Sequence, residues 1–235
     1  MINKLTIKQA REGLKHKDFS SVELTKACLD RIRATDDKLN AFVTVTEEEA
    51  LKSAEEADKL LLQGHALQRP LLGIPIALKD MYSHGNTTAA SKVLEGFNSP
   101  YNATSVKQLI EAGAIIIGKT NQDAWAHGSS GENSDFGSTK NPWNLDHVPG
   151  GSSSGSAVAV AANMSLGAMG TDTGGSIRLP ASFTNTVGLK PTYGRVSRSG
   201  VISMASSHDS IGHFTKTSED SAIILGVTAG KDQLD

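Results

Sequence analysis

The chain has 235 residues, 38% of them hydrophobic and 20% charged, a balance that can bury a sizeable core and excludes a disordered chain. With 23 Lys+Arg against 25 Asp+Glu the net charge is -2, so a surface that grips nucleic acid by neutralising phosphates is not expected, and tRNA contact is expected only through a partner. The single Cys28 can form no internal disulfide, no apolar run reaches the roughly 18 residues of a membrane span, and no signal-peptide core follows Met1, so a cytoplasmic protein without membrane contact is expected.

Half of the charged side chains lie in residues 1–72, which hold only two glycines, Gly13 and Gly64. Thr6 to His16 has helical apolar spacing. Ser20-Ser21-Val22-Glu23 reads as a capping box opening a helix to about Ala34, and Thr46-Glu47-Glu48-Glu49 opens another that ends at Gly64. Cys28 lies in the first of these capped helices and reads as a small buried residue. From Gly73 onward short apolar runs alternate with Gly, Ser, Thr and Asn, the pattern of strands feeding site-building loops. Ile74 to Leu78 and Ala114 to Ile117 read as buried strands around a helix from Thr104 to Glu111, a βαβ unit, and Ser156 to Asn163 as a buried helix. The expectation is one α/β domain or part of one, with a helical N-terminal region over 1–72 and a core segment over 73–235.

Two motifs match a pattern without its context. Gly113-Ala114-Ile115-Ile116-Ile117-Gly118-Lys119-Thr120 has Walker A spacing, but its four central residues are themselves the strand where a phosphate loop needs a loop. Gly151-Ser152-Ser153-Ser154-Gly155 has the spacing of a hydrolase nucleophile elbow, with Asp172 and His208 or His213 following, yet an irregular segment with two prolines precedes it instead of a strand; it stays as a minor alternative. The seven histidines show no i,i+4 pairing with a neighbouring glutamate and no Cys partner, so the sequence names no metal site.

Three features remain: Lys79 at the end of the strand Gly73–Leu78, the segment Pro149–Ser156, and Gly170-Thr171-Asp172-Thr173-Gly174-Gly175-Ser176-Ile177-Arg178. A serine hydroxyl needs a base, and a lysine whose ammonium is disfavoured by burial can supply one. A second serine, Ser152, can relay the proton outward during attack and back to a departing nitrogen. Ser176 then attacks a carbonyl, and the backbone amides of Thr173, Gly174, Gly175 and Ser176 hold the developing negative charge.

These residues resemble the amidase signature family, whose Ser-cis-Ser-Lys triad falls on Ser176, Ser152 and Lys79, with a cis link implied between Gly151 and Ser152. The resemblance extends over essentially the whole chain and includes Leu72-Gly73-Ile74-Pro75, Ala90 to Phe97, Gly118-Lys119-Thr120-Asn121, Asn141-Pro142-Trp143 and Val187 to Ser197. It implies an α/β/α sandwich around a mixed sheet with an N-terminal helical layer. Within the family the segments are most similar to the A subunits of tRNA-dependent amidotransferases, which implies a glutaminase whose ammonia converts Glu-tRNA(Gln) or Asp-tRNA(Asn) to the amide. B and C subunits would be the partners, and ATP and Mg would be used by one of them, with no cofactor in this chain. The same resemblance implies that Gly128 and Ser130 help hold glutamine and that Asp172 and Arg178 brace the nucleophile loop.

The sequence departs from the family at Ser154, where glycine is usual, and in the runs Gln122 to His127 and His208 to Phe214. Family domains are also roughly twice as long, so the domain is expected to be incomplete at its C-terminal side. A stand-alone amidase on another small amide and a truncated non-catalytic assembly module are the alternative readings.

Overall fold

The computed structural model describes residues 1–64 and 69–235; His65 falls outside the described residues. The charged N-terminal region folds into α1 (Ile7–His16), α2 (Ser21–Leu39) and α3 (Glu47–Leu62). Thr6 and Ser20 each complete a capping box, the cap hydroxyl accepting from the amide of Gln9 or Glu23 while that residue's side chain accepts from the cap amide. α2 runs past the expected end near Ala34 and stops at Asn40, in left-handed backbone conformation at φ 51°. The Asp36 carboxylate fixes the exit by accepting from the amides of Ala41 and Phe42 at 2.7 and 3.2 Å.

Residues 1–72 are not wholly helical, because Phe42–Val45 forms strand β1 and joins the sheet. Thr46 accordingly makes no side-chain cap; its hydroxyl donates instead to the Ile116 carbonyl at 3.2 Å.

The remaining strands are β2 (Pro75–Lys79), β3 (Gly85–Asn86), β4 (Asn98–Ser99), β5 (Ile115–Thr120), β6 (Gly167–Asp172), β7 (Val187–Leu189) and β8 (Ser210–Thr215). Five of them join β1 in one mixed six-stranded sheet in the order β1-β5-β2-β6-β8-β7, and β3 pairs with β4 separately. The predicted βαβ unit is present as β2, α4 (Thr104–Glu111) and β5, with β2 and β5 parallel and Pro75 opposite Ile115. β6 is also parallel to β2, while β1, β8 and β7 pair antiparallel with β5, β6 and β8.

The other helices are α5 (Ser154–Ala161), α6 (Arg178–Thr184) and α7 (Ser218–Thr228). Helices cover both faces of the sheet. A Cβ on Gly167 would meet Ile224 of α7 and Ile7 of α1, whereas one on Gly170, three positions along β6 and therefore on the other face, would meet Ser153 at the start of α5. The α/β class with a central mixed sheet read from the sequence is the observed one.

This topology sets where chemistry can occur. The parallel strands β5, β2 and β6 end side by side, with Lys79 paired to Thr120 and Asp172 closing β6. The loops leaving those carboxyl ends form the crevice in which open α/β sheets bind ligands.

The start of α5 is wedged under this crevice. A Cβ on Gly155 would lie 2.2 Å from the Ala41 carbonyl oxygen and 2.6 Å from both N and O of Asn121, backbone atoms that cannot swing away. Gly155→Ala is therefore expected to destabilise the chain by about 3 kcal/mol in urea unfolding. Gly226→Ala, at an exposed helical position where an added Cβ would meet nothing within 4 Å among the described residues outside its own helix backbone, is expected to stabilise it by about 0.5–1 kcal/mol in the same measurement.

Candidate active site

The apolar run Ile74–Leu78 makes β2 a fully buried strand and carries Lys79 out of solvent with it. Lys79 Nζ donates to Ser152 Oγ at 2.7 Å and to Thr171 Oγ1 at 2.8 Å, its two hydrogen-bond partners among the described residues. Burial pushes its ammonium down to about 7, although the Asp123, Asp172 and Asp209 carboxylates pull in the opposite direction. A large fraction of the side chain is thus free amine at neutral pH, as a base requires.

Ser152 follows a cis Gly151–Ser152 bond, as the resemblance implied. Close packing holds the surrounding segment: a Cβ on Gly151 would fall 2.0 Å from Asp123 Oδ2, so no side chain fits there. Ser153 Oγ donates to the Thr171 carbonyl at 3.1 Å and Ser156 Oγ to the Met169 carbonyl at 2.8 Å, binding the loop to β6. Ser154 is accommodated, with its hydroxyl 3.3 Å from Thr139 Oγ1 and its Cβ against the bare face of Gly131.

Ser176 lies in the next loop, 7% exposed, with its carbonyl accepting from the Ser153 amide at 3.2 Å. Its Oγ makes no hydrogen bond among the described residues. The Asp172 carboxylate shapes this loop by accepting from the amides of Gly175, Ile177 and Arg178 at 2.8, 3.0 and 3.2 Å and from the Arg178 guanidinium at 2.9 and 3.1 Å. Burial works against that carboxylate, but the Arg178 side chain and the Ile177 and Arg178 amides outweigh it and hold it below its ordinary value.

Gly175, at φ 136°, needs the left-handed freedom of glycine, and Gly174 and Gly175 both face open space. Of the four amides expected to hold an oxyanion, that of Gly175 donates to Asp172 at 2.8 Å, and those of Thr173, Gly174 and Ser176 have no protein partner among the described residues.

Gly128 and Ser130 sit on a loop tied to the serine segment by the Gly151 amide, which donates to the Ser129 carbonyl at 2.8 Å. A Cβ at Gly128 would come within 2.4 Å of the Asp123 carboxyl carbon, which accounts for glycine there. The Ser130 hydroxyl accepts from the Glu132 amide at 3.3 Å. Neither residue touches Lys79, Ser152 or Ser176 through a hydrogen bond.

The sequence reading gave no role to three residues that organise the site. Asp123 accepts from the amides of Gly131 and Asn133, and its own amide donates to the Ser152 carbonyl at 3.2 Å. Asp209 takes the Thr173 hydroxyl at 2.6 Å together with Ser203 and the amides of Met204 and Ala205. Thr171 faces Lys79 and, with Arg198, Ser203, Asp209 and Leu234 among others, lines a cavity of about 250 Å³. Asp123 and Asp209 fall in the two runs that depart from the family pattern, and Thr171 one residue before the end of a strand the sequence did not reveal.

The competing readings lose their partners. Lys119 is buried with its Nζ on the Tyr82 and Asn86 carbonyls and 3.6 Å from Asp80, so it serves the core and not a phosphate. Ser153, the elbow candidate, is bound to backbone, and His213 is buried against Ser221 at 2.8 Å with its pKa lowered to about 4 by desolvation. Cys28 is buried and its thiol is pushed up to about 12 by desolvation, which removes it as a nucleophile.

Residues 23–235 match the Amidase protein family. This chain belongs to the amidase family. It is 58% identical over its whole length to the A subunit of the glutamyl-tRNA(Gln) amidotransferase of Desulfatibacillum aliphaticivorans and covers 48% of that protein. Among solved structures it is similar to the A subunit of the glutamyl-tRNA(Gln) amidotransferase of Thermotoga maritima, at 42% identity and a TM-score of 0.86 over 100% of this chain and 49% of the other. It is also similar to the peptide amidase of Stenotrophomonas maltophilia, at 41% identity and a TM-score of 0.93 over 98% of this chain and 49% of the other. The chain spans about half the length of the relatives it matches. No helix among the described residues of this amidase-family chain is long and apolar enough to cross a membrane.

The unequal exposure of the Asp172–Arg178 pair predicts unequal effects. Asp172 is buried and Arg178 has 57% of its side chain exposed. Asp172→Ala is expected to cost about 2–4 kcal/mol in urea unfolding because three amides lose their acceptor, and Arg178→Ala about 1 kcal/mol or less. Because the native carboxylate titrates below its unfolded value, the Asp172 contribution is present above the ordinary carboxylate range and lost as pH falls through the depressed native value.

Proposed function

We propose that this chain carries the acyl-transfer machinery of an amide hydrolase and that its amide donor is glutamine. The observation that carries the reading is the buried Lys79 amine bonded to Ser152 beside a glycine-opened loop ending at Ser176. Lys79 takes the proton of Ser152 as Ser152 takes that of Ser176, and the Ser176 oxygen bonds to the amide carbon. The oxyanion is held by the amides of Thr173, Gly174 and Ser176. As the carbon–nitrogen bond breaks, the proton returns through Ser152 to the departing nitrogen, ammonia leaves, and water hydrolyses the acyl-enzyme by the same path in reverse.

Gly128 and Ser130 contribute to holding the substrate, and Asp172 with Arg178 keeps the Ser176 loop in shape. The names of the amidotransferase relatives support amide transfer and a multi-subunit complex as the setting, and glutamine as the donor follows from the family resemblance. In that setting B and C subunits receive the ammonia and handle the tRNA, and ATP with Mg is used on the partner. A stand-alone amidase on another small amide is the second reading, favoured by the TM-score of 0.93 with peptide amidase against 0.86 with the Thermotoga maritima protein.

The test is ammonia release from L-glutamine and from a C-terminally amidated dipeptide, with and without candidate B and C subunits. The glutaminase reading expects release from glutamine that rises with the subunits and is lost in Ser176→Ala. Release from the dipeptide amide alone would move the assignment to the second reading, and none from either by a folded chain would sink both. Because the base must be unprotonated, the rate is expected to rise with pH through about 7.

A further inference from the structure

Of the two groups bonded to the Lys79 nitrogen, the proposed mechanism uses only Ser152. The other, Thr171, is buried in β6, its amide donating to Ser153 Oγ at 3.3 Å and its carbonyl accepting from the same atom at 3.1 Å. Its hydroxyl has one hydrogen, and that hydrogen goes to Met81 Sδ at 3.3 Å. A thioether accepts and never donates, so the chain of bonds from Lys79 through Thr171 to Met81 can run in one direction only. Thr171 therefore offers Lys79 a lone pair and no proton.

This direction matters once Lys79 is a free amine with two N–H bonds and one lone pair. If one N–H is held by Thr171, the tetrahedral nitrogen is left with its lone pair free for the second partner, Ser152 Oγ at 2.7 Å. Were the threonine hydroxyl able to donate, it would compete with Ser152 for that lone pair. The charged groups that face Lys79 are Asp123 after β5, Asp172 at the end of β6 and Asp209 before β8. None of them hydrogen-bonds the nitrogen among the described residues, so they act on its charge without orienting it. We propose that Thr171, locked as an acceptor by Met81, is a positioning residue that keeps the lone pair of Lys79 aimed at Ser152. The proposal rests on the amide-hydrolase reading above.

A fluorophosphonate probe tests it on the whole chain without a bound substrate, since the attacking serine forms a phosphorus–oxygen bond and fluoride leaves. The labelling rate is followed against pH for wild type, Thr171→Val, Thr171→Ser, Met81→Leu and the control Ser176→Ala. Thr171→Val is expected to label about tenfold more slowly on the high-pH plateau, with its midpoint moved to lower pH because the ammonium has lost an acceptor. Thr171→Ser should restore both, and Met81→Leu, which frees the hydroxyl to turn toward the lone pair, should slow the plateau about threefold.

Ser176-dependent labelling by a folded Thr171→Val at the wild-type rate and midpoint would overturn this inference and leave the amidase reading standing. An absence of Ser176-dependent labelling in the folded wild-type chain would overturn both. If Thr171→Val does not fold, Met81→Leu decides, a wild-type plateau again overturning the inference.

Discussion

A lysine nitrogen taken completely out of water at the carboxyl end of β2 is the constraint around which the rest of this chain is arranged. Removal from solvent disfavours the ammonium more than the nearby carboxylates favour it, and the balance lowers the group's pKa to about 7, so ammonium and free amine coexist at neutral pH. A carboxylate in direct contact would have undone that balance. The direct partners are instead two hydroxyls, Ser152 and Thr171, delivered by a loop and a strand far apart in sequence from Lys79.

Buried carboxylates hold the loops that deliver those groups. Asp172 collects the amides of Gly175, Ile177 and Arg178, Asp123 those of Gly131 and Asn133, and Asp209 those of Met204 and Ala205 together with the Thr173 hydroxyl. Asp80 does the same beside the site for Thr88 and Ala90, with Lys119 near it. Irregular loops expose amides that no ladder satisfies, and a desolvated carboxylate needs several donors, so each requirement is met by the other. Three of these acids also supply the field that keeps Lys79 basic enough to act.

The departures from the family pattern are absorbed without disturbing this arrangement. Ser154 finds Thr139 and the bare face of Gly131, and the changed run around Asp123 keeps the carboxylate that packs against Gly151. In the second run Asp209 retains the loop contacts, and His213 turns to Ser221 in the core beneath α7. Gln122 is buried, and neither of its side-chain polar atoms has a hydrogen-bond partner among the described residues.

By itself the sequence determined the local and strongly patterned features: the helix from Thr6 to His16, the capping box at Ser20, the βαβ unit around α4, the strand end at Lys79, and the serine and glycine loops that carry the family resemblance. These depend on neighbours within a few residues or on motif spacing, which a linear chain displays. Only the tertiary structure decided β1, β6, β7, β8 and α7. β6 reads Gly-Ala-Met-Gly-Thr-Asp, with little intrinsic strand preference, and its glycines leave room for Ile224, Ile76 and Phe214 to pack close against the strand. The roles of Thr171, Asp123 and Asp209, and the loss of the Gly175 amide to Asp172, were equally beyond the sequence. Each is a contact between segments that meet only when the sheet is assembled, and the chemistry of a buried group is set by those segments and not by its neighbours in the chain.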